Sequence, residues 1–320
     1  MKKYVINNNN TSMWKSDIQQ SVLFYNEWFL NFAPTTYINA RKDAFDKIET
    51  MFSKTDFFNS ISSDLLNTIP EAISILRMAT TPPLARERLA GLANVPKSFI
   101  TSLEEGRLPR MNDTERENCL CRIIAIVNRL LDIDIMPWLE RKSYPHEMGR
   151  LLAKNIIGDR LCGSLSDPII RNEQERRQLE CISAFLQNRG YKFVESKYIT
   201  DFKSMEHGTF SYHLNVPVEI GQVRPVKMPI DVVIMRQKAK ADELPMLIEC
   251  KSAGDFTNTN KRRKEEATKI EQLKKTYGNN IEFVLFLCGY FDSGYLGYEA
   301  AEGIDWIWEH RIDDLLKAGI

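Results

Sequence analysis

Two strand-like segments in the second half of the chain end in side chains that can bind a metal ion and a phosphate. Asp231 lies in PIDVVI, and Glu249 and Lys251 lie in MLIECKS. Alternate residues of a strand point to the same face, so Glu249 and Lys251 project together and Cys250 turns to the other face. If the two strands are neighbours, the carboxylates of Asp231 and Glu249 repel each other unless a cation lies between them. Such oxygen ligands suit Mg2+ or Mn2+, and an adjacent ammonium stabilises negative charge that develops on a phosphate.

The Glu-x-Lys spacing by itself has a second interpretation, an exposed salt bridge at a strand end. The spacing occurs at residues 140–142, 195–197 and 249–251. The first lies in a helical segment, where residues i and i+2 do not share a face. The second has no aspartate on a preceding strand. Only the third ends an apolar strand that follows an aspartate-bearing strand, and it is the candidate catalytic site.

The residues after Lys251 favour a DNA-binding role. Residues 251–275 contain eight basic and four acidic residues, whereas the last forty residues contain two basic and eight acidic ones. The formal net charge of zero therefore conceals a basic segment beside the candidate site. Four consecutive cations at a helix start oppose the helix dipole, an arrangement that a bound phosphate would favour, while the alternative is a solvated helix start. The candidate DNA contacts are Ser252, Asp255, Thr257, Asn258, Asn260, Lys261, Arg262 and Arg263.

The elements that must position these residues change in kind near residue 165. Residues 1–165 are predicted to form an all-helical domain, in which residues 14–32 form an amphipathic helix that Pro34 ends. The asparagine run at residues 7–10 is expected to be a solvated loop or tail. Residues 166–320 are predicted to form an α/β domain with a mixed sheet. Its expected elements are a helix at 172–187, strands at 191–195, 210–220, 230–235 and 244–250, a helix at 261–277 and a buried strand at 283–288.

Residues 84–109 have the outline of a helix-turn-helix within the helical half. Two short helical stretches flank Asn94-Val95-Pro96, and Gly106 lies where the second helix would end. The second helix of such a motif can enter a major groove and recognise DNA, and the half as a whole can also serve dimerisation. An αα-hairpin inside a helical bundle explains the same pattern equally well.

Composition excludes several classes of protein. The 320 residues are 43% hydrophobic and 27% charged, which rules out wholesale disorder and a fibrous repeat. The six cysteines are scattered and lack zinc-site spacing, so reduced thiols are expected. No apolar run reaches the roughly 18 residues needed to cross a bilayer, and the N-terminus lacks a secretion signal. A cytoplasmic protein with no membrane partner is therefore expected.

At the candidate site the chain resembles the PD-(D/E)XK nuclease superfamily, with its αβββαβ core. The segments WKSDIQQSVLFYNEWFLNFAP (14–34), LRMATTPPLARERLAGLANVP (76–96) and ECKSAGDFTNTNKRRKEEATK (249–269) are similar to the XamI-type family of type II restriction endonucleases. The resemblance implies that Asp231, Glu249 and the backbone carbonyl of Cys250 bind Mg2+ and that Lys251 lies beside the attacking water. One departure is the order Pro-Ile-Asp in place of Pro-Asp, so the assignment of Asp231 rests on its strand.

A further carboxylate is expected on the helix before the first core strand, where many nucleases of this superfamily carry one. Glu175 lies four residues before Leu179 and seven before Ile182, so it shares their inward face. Glu173 and Glu180 are less well aligned. The alternative is a solvated glutamate that the dipole of the helix start favours.

The resemblance implies sequence-specific, Mg2+-dependent cleavage of double-stranded DNA without a nucleotide cofactor. It suggests a hexanucleotide palindrome, with GTCGAC as the candidate, and a two-fold site matches a homodimer. Two other functions remain open at this stage: a repair or recombination nuclease that recognises DNA structure, and a non-catalytic helix-turn-helix regulator. The complete trio of Asp231, Glu249 and Lys251 argues against the regulator, which has no need of it.

Overall fold

The computed structural model describes residues 4–219, 225–240, 242–257 and 259–320, apart from the side chains at 260–262. The chain divides into two compact units. Ala33–Ile170 form a helical unit, and the chain up to Phe32 together with Arg171–Ile320 forms a sheet unit. The α-helices are α1 (Thr11–Lys54), α2 (Ser63–Thr68), α3 (Ala72–Met78), α4 (Arg86–Ala93), α5 (Lys97–Glu104), α6 (Asp113–Leu130), α7 (Trp138–Arg141), α8 (Glu147–Gln187), α9 (Thr259–Tyr277) and α10 (Ser293–Ala301).

The six strands of the sheet unit follow one another in space in the same order as in the chain. They are β1 (Lys192–Phe193), β2 (Thr209–Val218), β3 (Val226–Met235), β4 (Met246–Ala253), β5 (Phe283–Gly289) and β6 (Asp305–Trp308). The pairs β2–β3 and β3–β4 are antiparallel, whereas β1–β2, β4–β5 and β5–β6 are parallel. This mixed sheet with helices on its faces confirms the predicted α/β class.

Alternation of side chains gives the sheet two apolar faces. On one face Ile248 and Phe286 pack with Leu179 and Ile182 of α8. On the other face the neighbouring residues Leu247 and Leu285 belong to the cluster that contains α9. β5 is buried over its whole length, as its run of apolar residues predicts. The core strands are therefore covered on both sides, by α8 and by α9.

Two features of the N-terminal region differ from the sequence-based expectations. Pro34 does not end the first helix but lies inside α1. Ala44, Ile48 and Met51 beyond it are buried in the helical core, and their burial outweighs the cost of about 3 kcal/mol for an interior proline. The asparagine run is not a solvated tail either, because Asn7 is buried and its side-chain amide donates to the carbonyl oxygen of Trp306 at 3.0 Å.

The boundary expected between residues 165 and 166 lies within α8, and the first residues of the chain belong to the sheet unit. Trp14 packs edge-on against Trp306 with ring centroids 5.4 Å apart. Ser21 Oγ accepts a hydrogen bond of 2.7 Å from the backbone N–H of Gly289. These long-range contacts draw the start of α1 to the sheet, and spacing along the sequence does not reveal them.

The segment 84–109 folds as two short helices, α4 and α5. Asn94 between them adopts a left-handed backbone with φ 50°, a conformation that asparagine tolerates. Leu89, Phe99 and Leu103 are buried in the core of the helical unit. The two-helix outline is thus present, while its contact with DNA stays a prediction.

Among the described residues, no helix combines the length and the apolar character that crossing a bilayer requires.

Candidate active site

Asp231 lies where β3 and β4 stop pairing. The last paired residues of these strands are Val232 and Ile248, so Asp231 and Glu249 come next at the fork between them. Asp231 Oδ2 accepts a hydrogen bond of 2.8 Å from the backbone N–H of Cys250. Just beyond the last residue pair of β3 and β4, the aspartate side chain thus accepts the backbone hydrogen bond that a paired strand residue would otherwise accept. This contact fixes one carboxylate of the predicted site against the strand that carries the other.

Glu249 is almost completely buried, with 4% of its surface exposed. Its Oε1 atom accepts hydrogen bonds from two ammonium groups, Lys251 Nζ at 3.0 Å and Lys269 Nζ. Its Oε2 atom is buried and has no hydrogen-bond partner among the residues that the structure describes. A buried carboxylate oxygen without a partner is costly unless a cation or donor binds it. The oxygen-rich donor set at Asp231 and Glu249 fits a hard divalent cation.

Lys251 connects Glu249 to a second buried acid. Its Nζ atom lies 3.7 Å from Oε1 of Glu266, a fully buried residue of α9. Glu266 Oε2 in turn accepts a hydrogen bond of 3.1 Å from the hydroxyl of Tyr295. Lys269, Glu249, Lys251 and Glu266 thus form a chain of alternating charges, which we call the charge chain.

The electrostatic environment shifts the pKa values of Asp231 and Lys251. Burial raises the pKa of Asp231 to about 6, with a further contribution from the negative charge of Glu249. Burial opposes the charge of Lys251, but Glu249 and Glu266 outweigh it and raise the pKa of that ammonium. Lys251 therefore remains a cation at neutral pH and can stabilise negative charge.

The alternative of an exposed salt bridge can be judged against Glu195–Lys197, the Glu-x-Lys pair before the sheet core. Those side chains are 55% and 61% exposed and form an ordinary surface pair at 2.6 Å. The side chains of Glu249 and Lys251 are only 6% and 19% exposed. Burying two charges is costly, so the Glu249–Lys251 pair differs physically from a surface salt bridge that contributes about 0–1 kcal/mol.

Glu175 lies beside Asp231, although its own side chain is 48% exposed. One ligand atom each from Glu175, His213 and Asp231 lies within 4.8 Å of the others. Sequence reasoning missed His213, which lies on β2. It also missed Glu266 and Lys269, although they lie four residues before the buried Ile270 and Leu273 and so share the inward face of α9.

The predicted DNA-binding stretch begins directly after the site. Ser252 belongs to β4, and Asp255 and Thr257 are exposed in the loop that follows. Asp255 Oδ1 accepts a hydrogen bond of 2.8 Å from the backbone N–H of Thr257. The guanidinium of Arg263 lies over the ring of Tyr298, 4.1 Å from its centroid. The remaining candidates are Asn258, which lies outside the described residues, and Asn260, Lys261 and Arg262, whose side chains also lie outside them.

Comparisons with known proteins identify the family of this chain. The family model of the XamI restriction endonuclease matches residues 56–308. The chain belongs to the XamI restriction endonuclease family. The chain is also 47% identical over 316 residues to the type II restriction enzyme SalI of Streptomyces albus G. That match covers 98% of this chain and 100% of the relative.

A solved structure, that of protein VC1899 from Vibrio cholerae, matches with a TM-score of 0.29 and 15% identity. The match covers 80% of this chain and 56% of the Vibrio cholerae protein, so it spans little more than half of that protein's length. A similarity this low supports no conclusion about the fold or the function of this chain.

Proposed function

We propose that this chain is a type II restriction endonuclease that hydrolyses phosphodiester bonds of double-stranded DNA within a short palindrome. The observation that carries the proposal is the group formed by the buried Glu249 and the partly buried Asp231 and Lys251 at the fork between β3 and β4. The 47% identity to a type II restriction enzyme supports it. GTCGAC, which the family resemblance suggests, is the first site to test.

The sheet unit has the order of elements that a PD-(D/E)XK core would need. α8 precedes the antiparallel strands β2, β3 and β4, and α9 leads to the parallel strand β5. This order supports an αβββαβ nuclease core with β1, α10 and β6 as additions. We also propose that the helical unit contributes to DNA recognition or dimerisation, with α4 and α5 as candidates.

Asp231, Glu249 and the backbone carbonyl of Cys250 would hold Mg2+. When bound there, the cation would shield the scissile phosphate and lower the pKa of a water molecule. The unpartnered Oε2 of Glu249 supports this assignment, because a bound cation would satisfy that buried atom. Glu175 would support the same site from α8.

Lys251 would stabilise the negative charge that develops on the phosphate during hydrolysis. Its position is held from two sides, by Glu249 at 3.0 Å and by Glu266 at 3.7 Å. A group fixed in this way needs no reorganisation when charge develops, which is the basis of electrostatic catalysis. The second ammonium, Lys269, would help to balance the charge of Glu249.

The basic start of α9 would bind DNA next to the catalytic group. α9 carries Lys261, Arg262 and Arg263 near its first turn and Glu266 and Lys269 farther along. One helix therefore joins the proposed DNA contacts to the charge chain.

The working enzyme would be a homodimer, since a palindrome presents two equivalent scissile bonds to a two-fold protein. Light scattering of the DNA complex should give two chains per duplex, and one chain per duplex during double-strand cleavage would contradict this.

Digestion of a plasmid with Mg2+, followed by sequencing of the fragment ends, tests the proposal. Discrete fragments that end within GTCGAC are expected, and a plasmid in which each GTCGAC carries one changed base pair should stay intact. Cutting confined to nicked or branched DNA would favour a repair or recombination nuclease. Binding without cutting would favour a regulator that uses α4 and α5.

Single substitutions separate binding from chemistry. Asp231→Ala and Glu249→Ala should abolish cleavage and still bind the cognate duplex. Lys251→Ala should bind nearly as the wild type does and cut about a hundredfold more slowly or worse, because the ammonium acts on charge that develops in the transition state. Lys197→Ala is the matched control, since it breaks an exposed Glu-x-Lys pair and should leave cleavage unchanged. If folded Lys251→Ala cuts at the wild-type rate in single-turnover assays, the active-site assignment fails.

A further inference from the structure

A second group of ligand atoms lies beside Asp231, next to α8. Glu175, His213 and Asp231 offer one carboxylate, one imidazole and another carboxylate within 4.8 Å of one another. His213 Nε2 and Glu175 Oε1 are 3.7 Å apart. Glu249 is not a member of this trio, and its Oε1 atom contacts Lys251 and Lys269. The trio is therefore a different set of ligands that shares Asp231 with the proposed Mg2+ site.

The fold directs His213 to this position through an irregularity in β2. Phe210 and Tyr212 pack with the apolar cluster that contains α8, whereas Leu214 and Val216 pack with the cluster that contains α9. The side-chain alternation of β2 thus changes at His213, whose backbone is left-handed with φ 49°. Tyr212 pairs with Val232 and Leu214 with Ile230, so His213 lies opposite Asp231.

This backbone conformation is unfavourable for histidine. A left-handed residue other than glycine costs roughly 1–2 kcal/mol, and such residues concentrate at functional sites. A second observation points to cations around Asp231. The Oε2 atom of Glu249, whose negative charge acts on Asp231, is buried without a hydrogen-bond partner among the described residues. Within the described part of the chain, Glu249 therefore keeps one carboxylate oxygen free for a cation, although Lys251 and Lys269 bind its other oxygen.

The chemistry of the trio differs from that of an all-oxygen site. Mg2+ and Ca2+ take oxygen ligands, whereas first-row transition-metal ions also accept imidazole nitrogen, with an affinity that is lowest for Mn2+ and rises along the series to Cu2+. We propose that Glu175, His213 and Asp231 form a second divalent-cation site on the shared carboxylate of Asp231, and that the His213 nitrogen lets this site take a transition-metal ion such as Mn2+ in preference to Mg2+. This inference rests on the proposed function for the role of Asp231. As a consequence, Mn2+ should support cleavage at lower concentrations than Mg2+.

Electron paramagnetic resonance of the full-length protein, with Mn2+ alone as the probe and no DNA, tests the site directly. The wild type should bind Mn2+ and show the nitrogen modulation of a coordinated imidazole in pulsed spectra. His213→Asn should lose that modulation and bind Mn2+ about tenfold more weakly or worse. Asparagine is the substitution of choice because it tolerates the left-handed backbone. His207→Asn, at an exposed histidine just before β2, is the matched control and should keep the modulation.

A second variant keeps the test decisive if His213→Asn does not fold. Glu175→Ala removes a half-exposed side chain and should weaken Mn2+ binding while the nitrogen modulation remains. A wild-type protein that binds no Mn2+, or binds it without nitrogen modulation, overturns the inference, as does modulation that persists in His213→Asn. In those cases, retained Mg2+-dependent cleavage of GTCGAC would leave the proposed function standing. Lack of cleavage with either cation would instead overturn the proposed function.

Discussion

Glu299 of α10 lies fully buried close to the charge chain, and it makes the stability of the protein depend on pH. Neither of its carboxylate oxygens has a hydrogen-bond partner among the described residues. Burial raises its pKa from 4.5 to about 8, with Glu266 of α9 and Glu302, just past the end of α10, adding to the rise. Arg263 of α9 and Lys251 of β4 oppose it. Glu299 is therefore protonated in the folded protein at neutral pH.

The sign of the effect follows from the protons bound in each state. Between pH 4.5 and about 8 the folded chain keeps a proton on Glu299 that the unfolded chain releases. The free energy of unfolding therefore falls as pH rises through this window and levels off above it. A pKa shift from 4.5 to about 8 lowers the free energy of unfolding by about 5 kcal/mol at most. About 3 kcal/mol of this is already lost at pH 7.

Glu299→Gln removes the ionisation and keeps the shape of the side chain. We expect the variant and the wild type to differ by no more than about 1 kcal/mol at pH 5. At pH 8.5 the variant should be more stable by several kcal/mol, up to the limit of about 5 kcal/mol. Urea denaturation followed by tryptophan fluorescence measures the difference, since Trp14, Trp28, Trp306 and Trp308 all lie in the sheet unit.

The control is Glu271→Gln, at an exposed glutamate of α9. It changes the same functional group in water and should show no growing advantage as pH rises. An advantage of Glu299→Gln that is the same at pH 5 and pH 8.5 would refute the reasoning. It would mean that the carboxyl group of Glu299 titrates in the folded protein as it does in the unfolded chain.

Four other predictions concern the site and its supports. Lys269→Ala should slow single-turnover cleavage about tenfold or more without weakening DNA binding, because Glu249 loses one of its two ammonium partners. Glu175→Ala should slow cleavage most at limiting Mg2+, and a wild-type rate in a magnesium titration would contradict its supporting role. Arg262→Ala combined with Arg263→Ala should weaken cognate and scrambled duplexes alike and reduce the salt slope by about two, and unchanged affinity would exclude these contacts. Gly289→Ala should destabilise the sheet unit by about 2 kcal/mol or more in thermal melting, since Gly289 has φ 97° and an added Cβ would lie 2.1 Å from the carbonyl oxygen of Ala253.

Local patterns in the sequence were sufficient for the main elements of the sheet unit. The apolar run at 283–288 corresponds to β5, and the helical spacing after Lys261 corresponds to α9. Alternation along β4 placed Glu249 and Lys251 on one face, because a strand has a period of two whatever its neighbours are. The order of these elements was enough to predict the mixed α/β class and to select one Glu-x-Lys pair of three.

Contacts between residues far apart in the sequence were decided only by tertiary structure. Pro34 remains inside α1 because the residues beyond it are buried, which outweighs the local preference to end the helix. The unpredicted strand β6 lies beside β5, and the buried Asn7 donates to Trp306 within it. His213 reaches Asp231 only through the register of β2 with β3 and a change of face. Sequence spacing determines what a residue shares with its near neighbours along one element, whereas strand register and helix packing determine which distant charges meet.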